Sequence, residues 1–400
     1  MTGIWHIAFL CWVAAGCLAA LVSLPGTVEL ALLTLGGVLP RRRPLAGIVE
    51  APWRVAVVVP AHNEEAGIRS CVESLLRCAA PATELHVVVV ADNCSDNTAG
   101  AASHAGARVL VRNNPVDRGK GYALDYAFQT LLPERFDAFL VVDADSRVAP
   151  TFLAETVRLL REGADAVQCR YLVGNPESSI RTRLMSVALR GFNVLRPRGR
   201  DRWGLSCHLY GNGFGMRRET LAEVPYSAAS VVEDLEYHIL LVRAGKRVRF
   251  ADATVVLGEM PEGGKGVATQ RARWEGGRFR MLRENAPALA VEVLKGRLLL
   301  LEPFLDLLLF PLAFHVTLLL LAASTPWTPA RAAGLAGLTV VVLHLLAAIF
   351  ATGGGWRDFA ALAAAPFYIC WKLVLIPKLI KSSLSGTAWV RTERAAEKRP

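Results

Sequence analysis

Residues 4–24 form a predominantly apolar run of about 20 residues, enough to cross a hydrocarbon core of about 30 Å, and the chain's apolarity is gathered at its two ends. Pro25-Gly26 interrupts this run, and a shorter one, residues 28–39, leads to Arg41-Arg42-Arg43. That second piece either extends the first helix with a kink or lies at the interface. The run has no basic segment ahead of it and its charges follow it, as for a retained anchor and unlike a cleaved secretory signal. By the positive-inside rule the arginines put the domain after them in the cytosol.

The membrane returns in three apolar runs, 298–323, 335–351 and 359–380. The first carries Glu302, Pro303, Asp306 and Pro311, so it is expected to start as an interfacial helix and to span only near its end. The last carries Pro366, Lys372, Pro377 and Lys378. A basic tail from Arg391 favours a cytosolic C-terminus, which demands an even number of crossings after the central domain. One late run is then expected not to span, and the last fits that role best. The resulting plan is an anchor over 1–40, a cytosolic domain over 50–290, interfacial and transmembrane helices over 291–385, and a basic tail over 386–400. Localisation is expected to be multi-pass in the cell (inner) membrane.

The formal net charge is +10, and blocks such as Arg41-Arg42-Arg43 and Lys378 with Lys381 sit beside apolar runs, which suits anionic headgroups. No basic stripe interleaved with aromatic residues is present, so nucleic acid is not an expected partner. The eight cysteines form no C-x-x-C pair and the histidines no zinc-spaced cluster, so free thiols in a reducing compartment are expected.

Between the ends the pattern changes. Residues 55–59, 85–90, 108–111 and 138–142 are short, near-continuous apolar runs rich in valine, the signature of strands buried on both faces. Helical stretches at 64–78, 98–105, 122–131 and 151–160 separate them. Strand and helix in alternation predict an α/β, mostly parallel, doubly wound sheet with ligands at the carboxyl ends of the strands. Further on, 176–195 is amphipathic, 196–201 reads as a basic loop, a glycine-rich stretch covers 211–215, a helix starts near Glu233, and a strand pair is expected over 247–257.

Polar residues collect at the predicted strand ends. Asp92 follows the second strand, where a carboxylate can accept hydrogen bonds from a base or ribose, while Asp96 and Thr98 are suited to capping the next helix. Asp143-Ala144-Asp145 closes the fourth strand. Carboxylates at i and i+2 share a face, and a hard divalent cation takes oxygen ligands that it commonly shares with substrate phosphates. Glu233-Asp234 opens a helix, where acidic residues also suit the macrodipole. Gln270-x-x-Arg273-Trp274 lies on a predicted helix that would otherwise read as a basic interfacial helix with a headgroup-level tryptophan. The glycine stretches at 211–215 and 263–266 lack the spacing and preceding strand of phosphate-binding loops.

In order, an aspartate after a strand, Asp-x-Asp, Glu-Asp and Gln-x-x-Arg-Trp resemble the membrane-bound family 2 glycosyltransferases, the group of cellulose, hyaluronan, chitin-oligosaccharide and poly-N-acetylglucosamine synthases. The resemblance covers roughly residues 53–280 plus the flanking helices. It implies the nucleotide-diphospho-sugar transferase (GT-A) fold and inverting transfer from a sugar nucleotide, with a UDP-sugar expected. It further implies a nucleotide loop at Pro60-Ala61-His62-Asn63-Glu64, a uracil contact at Asp92, and Lys120 of Arg118-Gly119-Lys120-Gly121 lying towards the phosphates. Asp143 would contact ribose or metal, and Asp145 would ligate Mg²⁺ or Mn²⁺. Asp234 corresponds to the base, with Glu233 beside it on the acceptor side; Val232 stands where the family has threonine. Gln270, Arg273 and Trp274 correspond to diphosphate and acceptor-sugar contacts, and Gly211-Asn212-Gly213 to an acceptor loop. A saccharide or lipid-linked acceptor is expected. Polysaccharide or oligosaccharide synthesis, which Gln-x-x-Arg-Trp favours, is the expectation; single transfer to a lipid or lipid-linked acceptor is the alternative, favoured by the small number of membrane helices, which would need an oligomer or an export partner to line a channel.

Overall fold

Val55, Val57, Val58 and Val59 have no more than 1% of their surface exposed, and the strand they form, β1 (Trp53–Ala61), is the centre of the molecule's larger unit. In the computed structural model, residues 2–39, 51–227, 232–260 and 265–377 are described, with side chains omitted for 2–3 and 265–273. The triple arginine, the tail from Arg391 and the side chains of Gln270 and Arg273 lie outside the described residues.

The chain divides into two units: the described residues within Pro40–Leu189 and Arg200–Val267, and those within Met1–Leu39, Arg190–Gly199 and Ala268–Gly386. In the first, β1 is followed by α2 (Glu65–Leu76), β2 (Thr83–Asp92), α3 (Thr98–His104), β3 (Arg108–Arg112), α4 (Lys120–Leu131) and β4 (Ala138–Val141). The short β5 (Ser146–Val148), α5 (Phe152–Arg161), β6 (Ala166–Val173) and α6 (Ile180–Arg190) come next. A π-helical turn (Gly191–Leu195) and the start of α7 (Arg196–Trp203) group with the second unit, and the first resumes with the end of α7, then β7 (Phe214–Arg217), α8 (Arg218–Glu223), α9 (Glu233–Arg243) and β8 (Val248–Gly258).

The sheet order is β3-β2-β1-β4-β7-β6-β8-β5. The four predicted strands are its parallel half, β2 and β4 flanking β1 and β3 outside β2. β7 runs antiparallel between β4 and β6. The order reverses at β1, so the crevice outside the carboxyl ends of β1, β2 and β4 is the topological switch point. The apolar face packs on α2, α3 and α5 through Ile68, Val72, Leu75, Phe152, Val157 and Leu160.

Two readings of this half need correction. The segment 196–201, expected as a loop, is helical within α7, and Pro197 is tolerated there because the wide π turn just before it relaxes the backbone a proline would otherwise disrupt. The strand pair expected over 247–257 is one strand, β8, whose parallel register with β6 shifts between Cys169 and Arg170.

The second unit is apolar and helical. α1 (Thr2–Val38) runs through Pro25 without ending, so the two predicted apolar pieces form one helix. After α10 (Lys265–Leu294) come α11 (Leu301–Leu308), α12 (Leu312–Ser324), α13 (Thr328–Ala351), α14 (Trp356–Leu362) and α15 (Ala365–Val374). Among the described residues two helices, α1 and α13, are long and apolar enough to cross a membrane, or three spans if the 298–308 and 312–324 segments, bent by 77°, count as one. Gly334 and Gly337 let α13 approach α12 closely: a Cβ at either would come within 2.4 Å of Ala323 or Leu319. Thr34 of α1 meets His344 Nδ1 of α13 at 2.8 Å, a polar tie between apolar helices.

At the bend the charges expected to face the interface are buried and paired. Asp306, fully buried, accepts from Arg196 and, at 2.8 Å, from Arg278; Arg196 also lies 3.3 Å from Glu29 of α1. Arg278 donates to the Leu309 carbonyl at 3.1 Å, satisfying backbone that the broken helix leaves open. Lys372 pairs with Glu275, both buried. Charge inside an apolar unit is tolerable only when paired, which explains why these residues turn inward.

Candidate active site

Three turns meet at the switch point. Pro60 and Ala61 end β1 and the turn after it contains His62, Asn63 and Glu64; that after β2 holds Asn93, Cys94, Ser95, Asp96 and Asn97. They are sewn together: His62 Nδ1 lies 2.8 Å from the Asp92 carbonyl, Ser95 N donates to Asn63 Oδ1 at 2.7 Å, and Glu64 N donates to Thr98 Oγ1 at 2.8 Å. Asp96 accepts from Thr98 N at 3.0 Å and from Glu65 N at 3.1 Å, so it serves the starts of both α3 and α2, as its capping role predicts. Glu64 is buried in this turn.

Asp92 and Arg112 end neighbouring parallel strands in direct register. Arg112 Nη1 donates to Asp92 Oδ1 at 2.7 Å, and both side chains are about nine-tenths buried, with 9% and 8% exposed. Asn93 Nδ2 donates to the same oxygen at 3.0 Å.

Asp143 and Asp145 follow β4 on a turn, each part-buried with a remaining path to solvent. Lys120, the first residue of α4, reaches Asp143 Oδ1 and the Gly211 carbonyl, each at 2.5 Å. Burial lowers the Lys120 pKa, but Asp143, Glu233 and Asp234 outweigh it and the net shift is upward. Burial raises the Asp143 carboxyl, only partly offset by Lys120 and reinforced by Asp145. Two carboxylates one residue apart, open to solvent on a strand-end turn, are a donor set suited to a hard divalent cation.

Asp234 stands in the first turn of α9, its Oδ1 accepting from Leu235 N at 2.8 Å. Burial, with Glu233 adding to it, pushes its pKa up to about 7. A Cβ built on Gly211 would lie 3.3 Å from both Asp234 Oδ2 and Lys120 Nζ, so the acid and the cation both border this glycine. Gly211 and Gly213 have φ of +71° and +69°, and a Cβ on Gly213 would strike Cys169 Sγ at 2.4 Å; glycine is required at both.

Asn212 is fully buried. Its Oδ1 accepts from Asp143 N at 3.1 Å and its Nδ2 donates to Ser146 Oγ at 2.8 Å, while Ser146 Oγ donates to Asp145 Oδ1 at 3.2 Å. Gln168, buried in β6, donates to the Asn212 carbonyl at 2.8 Å and accepts from Tyr210 N at 2.9 Å. Asn212 thus fixes the Asp-x-Asp turn. Sequence reasoning passed over Gln168, Ser146, Asn93 and Arg112. A glutamine inside the apolar run of β6 was the available signal for the first. Trp274 belongs to the other unit, where it is half-buried on α10. The buried thiols Cys71 and Cys169 are pushed up by burial, in keeping with inert free cysteines.

This sheet, with its acidic turn at the switch point, is the GT-A type of nucleotide-diphospho-sugar transferase fold. The chain is similar in fold to a mannosyltransferase from Pyrobaculum calidifontis, solved with GDP-Man and Mn²⁺, with a TM-score of 0.54 at 17% identity, covering 93% of this chain and 98% of that one. The family model described as "Glycosyltransferase like family 2" matches residues 52–277, and the chain belongs to that family. It is 28% identical to a probable glycosyltransferase (YdaM) of Bacillus subtilis over 56% of this chain and 55% of that one. It is 29% identical to a beta-monoglucosyldiacylglycerol synthase of Trichormus variabilis over 46% of this chain and 40% of that one. The chain spans about half the length of the curated relatives it matches.

Proposed function

We propose that this chain is an inverting, metal-dependent glycosyltransferase that moves one sugar from a nucleotide-diphospho-sugar to a lipid or lipid-linked acceptor at the membrane. The observation that carries the reading is the cluster Asp143, Lys120, Gly211 and Asp234: a cation paired with a metal-suited carboxylate, and a carboxylate of raised pKa bordering the same glycine.

In this reading the turn after β1 and Asp92 receive the nucleoside, and Asp143 lies towards ribose. Asp145, with Asp143, would hold Mg²⁺ or Mn²⁺, which when bound supplies positive charge for the departing diphosphate. Lys120 adds charge on the same side. The acceptor hydroxyl rests against the Gly211 surface, and Asp234 removes its proton as the oxygen attacks the anomeric carbon from the face opposite the diphosphate. A single displacement inverts the anomeric configuration. Glu233 keeps Asp234 basic by like-charge repulsion. Arg273, Gln270 and Trp274 are proposed to contact diphosphate and acceptor sugar.

A lipid acceptor is supported by the apolar helical unit and by the likeness to a glycolipid synthase. Gln270-x-x-Arg273-Trp274 favours a second reading, repeated addition to a polysaccharide. The catalytic domain is proposed to face the cytosol, where sugar nucleotides are made. Chain-length analysis of the product from a radiolabelled donor and membrane lipids separates the two readings: one added sugar supports lipid glycosylation, a ladder supports polymerisation.

A further inference from the structure

We propose that Arg112 is a positioning residue that sets the nucleobase choice of the donor site, by leaving Asp92 one acceptor oxygen and so favouring a base with a single ring N–H between two carbonyls. The inference rests on the reading of Asp92 as the base-facing carboxylate.

A carboxylate oxygen offers about two lone-pair sites. Asp92 Oδ1 already receives Arg112 Nη1 at 2.7 Å and Asn93 Nδ2 at 3.0 Å, which fills it. Oδ2 accepts no hydrogen bond among the described residues. The arrangement is stiff. Asp92 and Arg112 are in register on adjacent strands, and Arg112 Nη1 also donates to the Asp117 carbonyl at 2.9 Å. Asn93 is held by Asn114 N donating to its Oδ1 at 2.9 Å.

Guanine presents two adjacent donors, N1–H and N2–H, and binds a carboxylate best through both oxygens. Here the second oxygen is spent, so one guanine donor would be buried without a partner. Uracil and thymine present one donor, N3–H, which Oδ2 alone satisfies. The guanidinium beside Oδ1 also favours a neighbouring carbonyl oxygen over a neighbouring amino group. A hydrogen bond to a charged group is worth enough to change affinity by about ten-fold or more.

The test is isothermal titration of the full chain in detergent with UDP, dTDP and GDP, each with Mn²⁺, for the parent and for Arg112→Met. The parent should bind UDP or dTDP at least about ten-fold more tightly than GDP, and the two pyrimidine arms identify which nucleoside is preferred. In Arg112→Met, with a melting transition confirming the fold, that ratio should fall below about three-fold, a change that general loosening would not produce. If Arg112→Met does not fold, Asn93→Gly, which suits the φ of +51° at this position, should cut the ratio at least about two-fold. A parent that binds GDP as tightly as UDP, a folded Arg112→Met that keeps the ten-fold ratio, or an unchanged ratio in Asn93→Gly overturns the proposal. A parent that binds none of the three overturns the nucleotide-site reading itself and this inference with it.

Discussion

Lys120 and Asp143 form a 2.5 Å ion pair, and the same ammonium also holds the Gly211 carbonyl at 2.5 Å. One side chain therefore connects the acidic turn after β4 to the glycine loop beside Asp234. Removing it should separate two effects. In Lys120→Met, Mn²⁺ should bind the nucleotide-free protein more tightly, because Asp143 loses a competing cation. UDP should bind at least about ten-fold more weakly, because a phosphate-side charge is gone. Titrations of each ligand alone check both signs; equal weakening of both would mean the lysine merely holds the fold.

Asp234 works as a base only when ionised. With its pKa raised to about 7 in the free protein, kcat/KM should climb as pH rises through 7. At pH 6 it should be about a tenth of the plateau. The sign follows from the raised carboxyl: below 7 the proton is kept and the base is lost. A pH–rate profile flat from 5.5 to 8 would contradict the assignment.

Asn212 fixes Asp143 and, through Ser146, Asp145. Asn212→Ala should therefore weaken Mn²⁺ binding, as changes beside a metal ligand typically do by about 10–100-fold. Manganese titration followed by electron paramagnetic resonance reads this directly, and an effect confined to acceptor KM would instead favour an acceptor contact.

In the helical unit, Asp306→Ala leaves Arg196 and Arg278 without their shared carboxylate. Breaking a buried pair typically costs about 3–5 kcal/mol. The variant should melt well below the parent in the same detergent, whereas Glu84→Ala, on an exposed pair, should not.

The parallel half of the sheet was legible because strands buried on both faces leave unbroken apolar runs, as residues 55–59 and 85–90 do. Asp92, Asp143 and Asp145 were legible for the same reason, since each run ends on them. β5 was not, being three residues long, and β8 was divided because its parallel register shifts at Arg170. The Asp92–Arg112 pair was hidden because the register between two strands joined through α3 sets it. The inward turn of Glu29, Arg196 and Asp306 was hidden because a charge in an apolar run gives no sign of the partner that neutralises it.

The reaction proposed for this chain is transfer from a sugar nucleotide with Asp234 as base. Its most direct measurement incubates the purified full chain with Mn²⁺, membrane lipids and a panel of radiolabelled sugar nucleotides, following nucleoside diphosphate release and label in the organic phase. The parent should turn over at least one donor. In Asp234→Asn, transfer should fall by about 10²–10⁴-fold while nucleotide binding is retained. No turnover of any donor, or an Asp234→Asn variant as active as the parent, would contradict it.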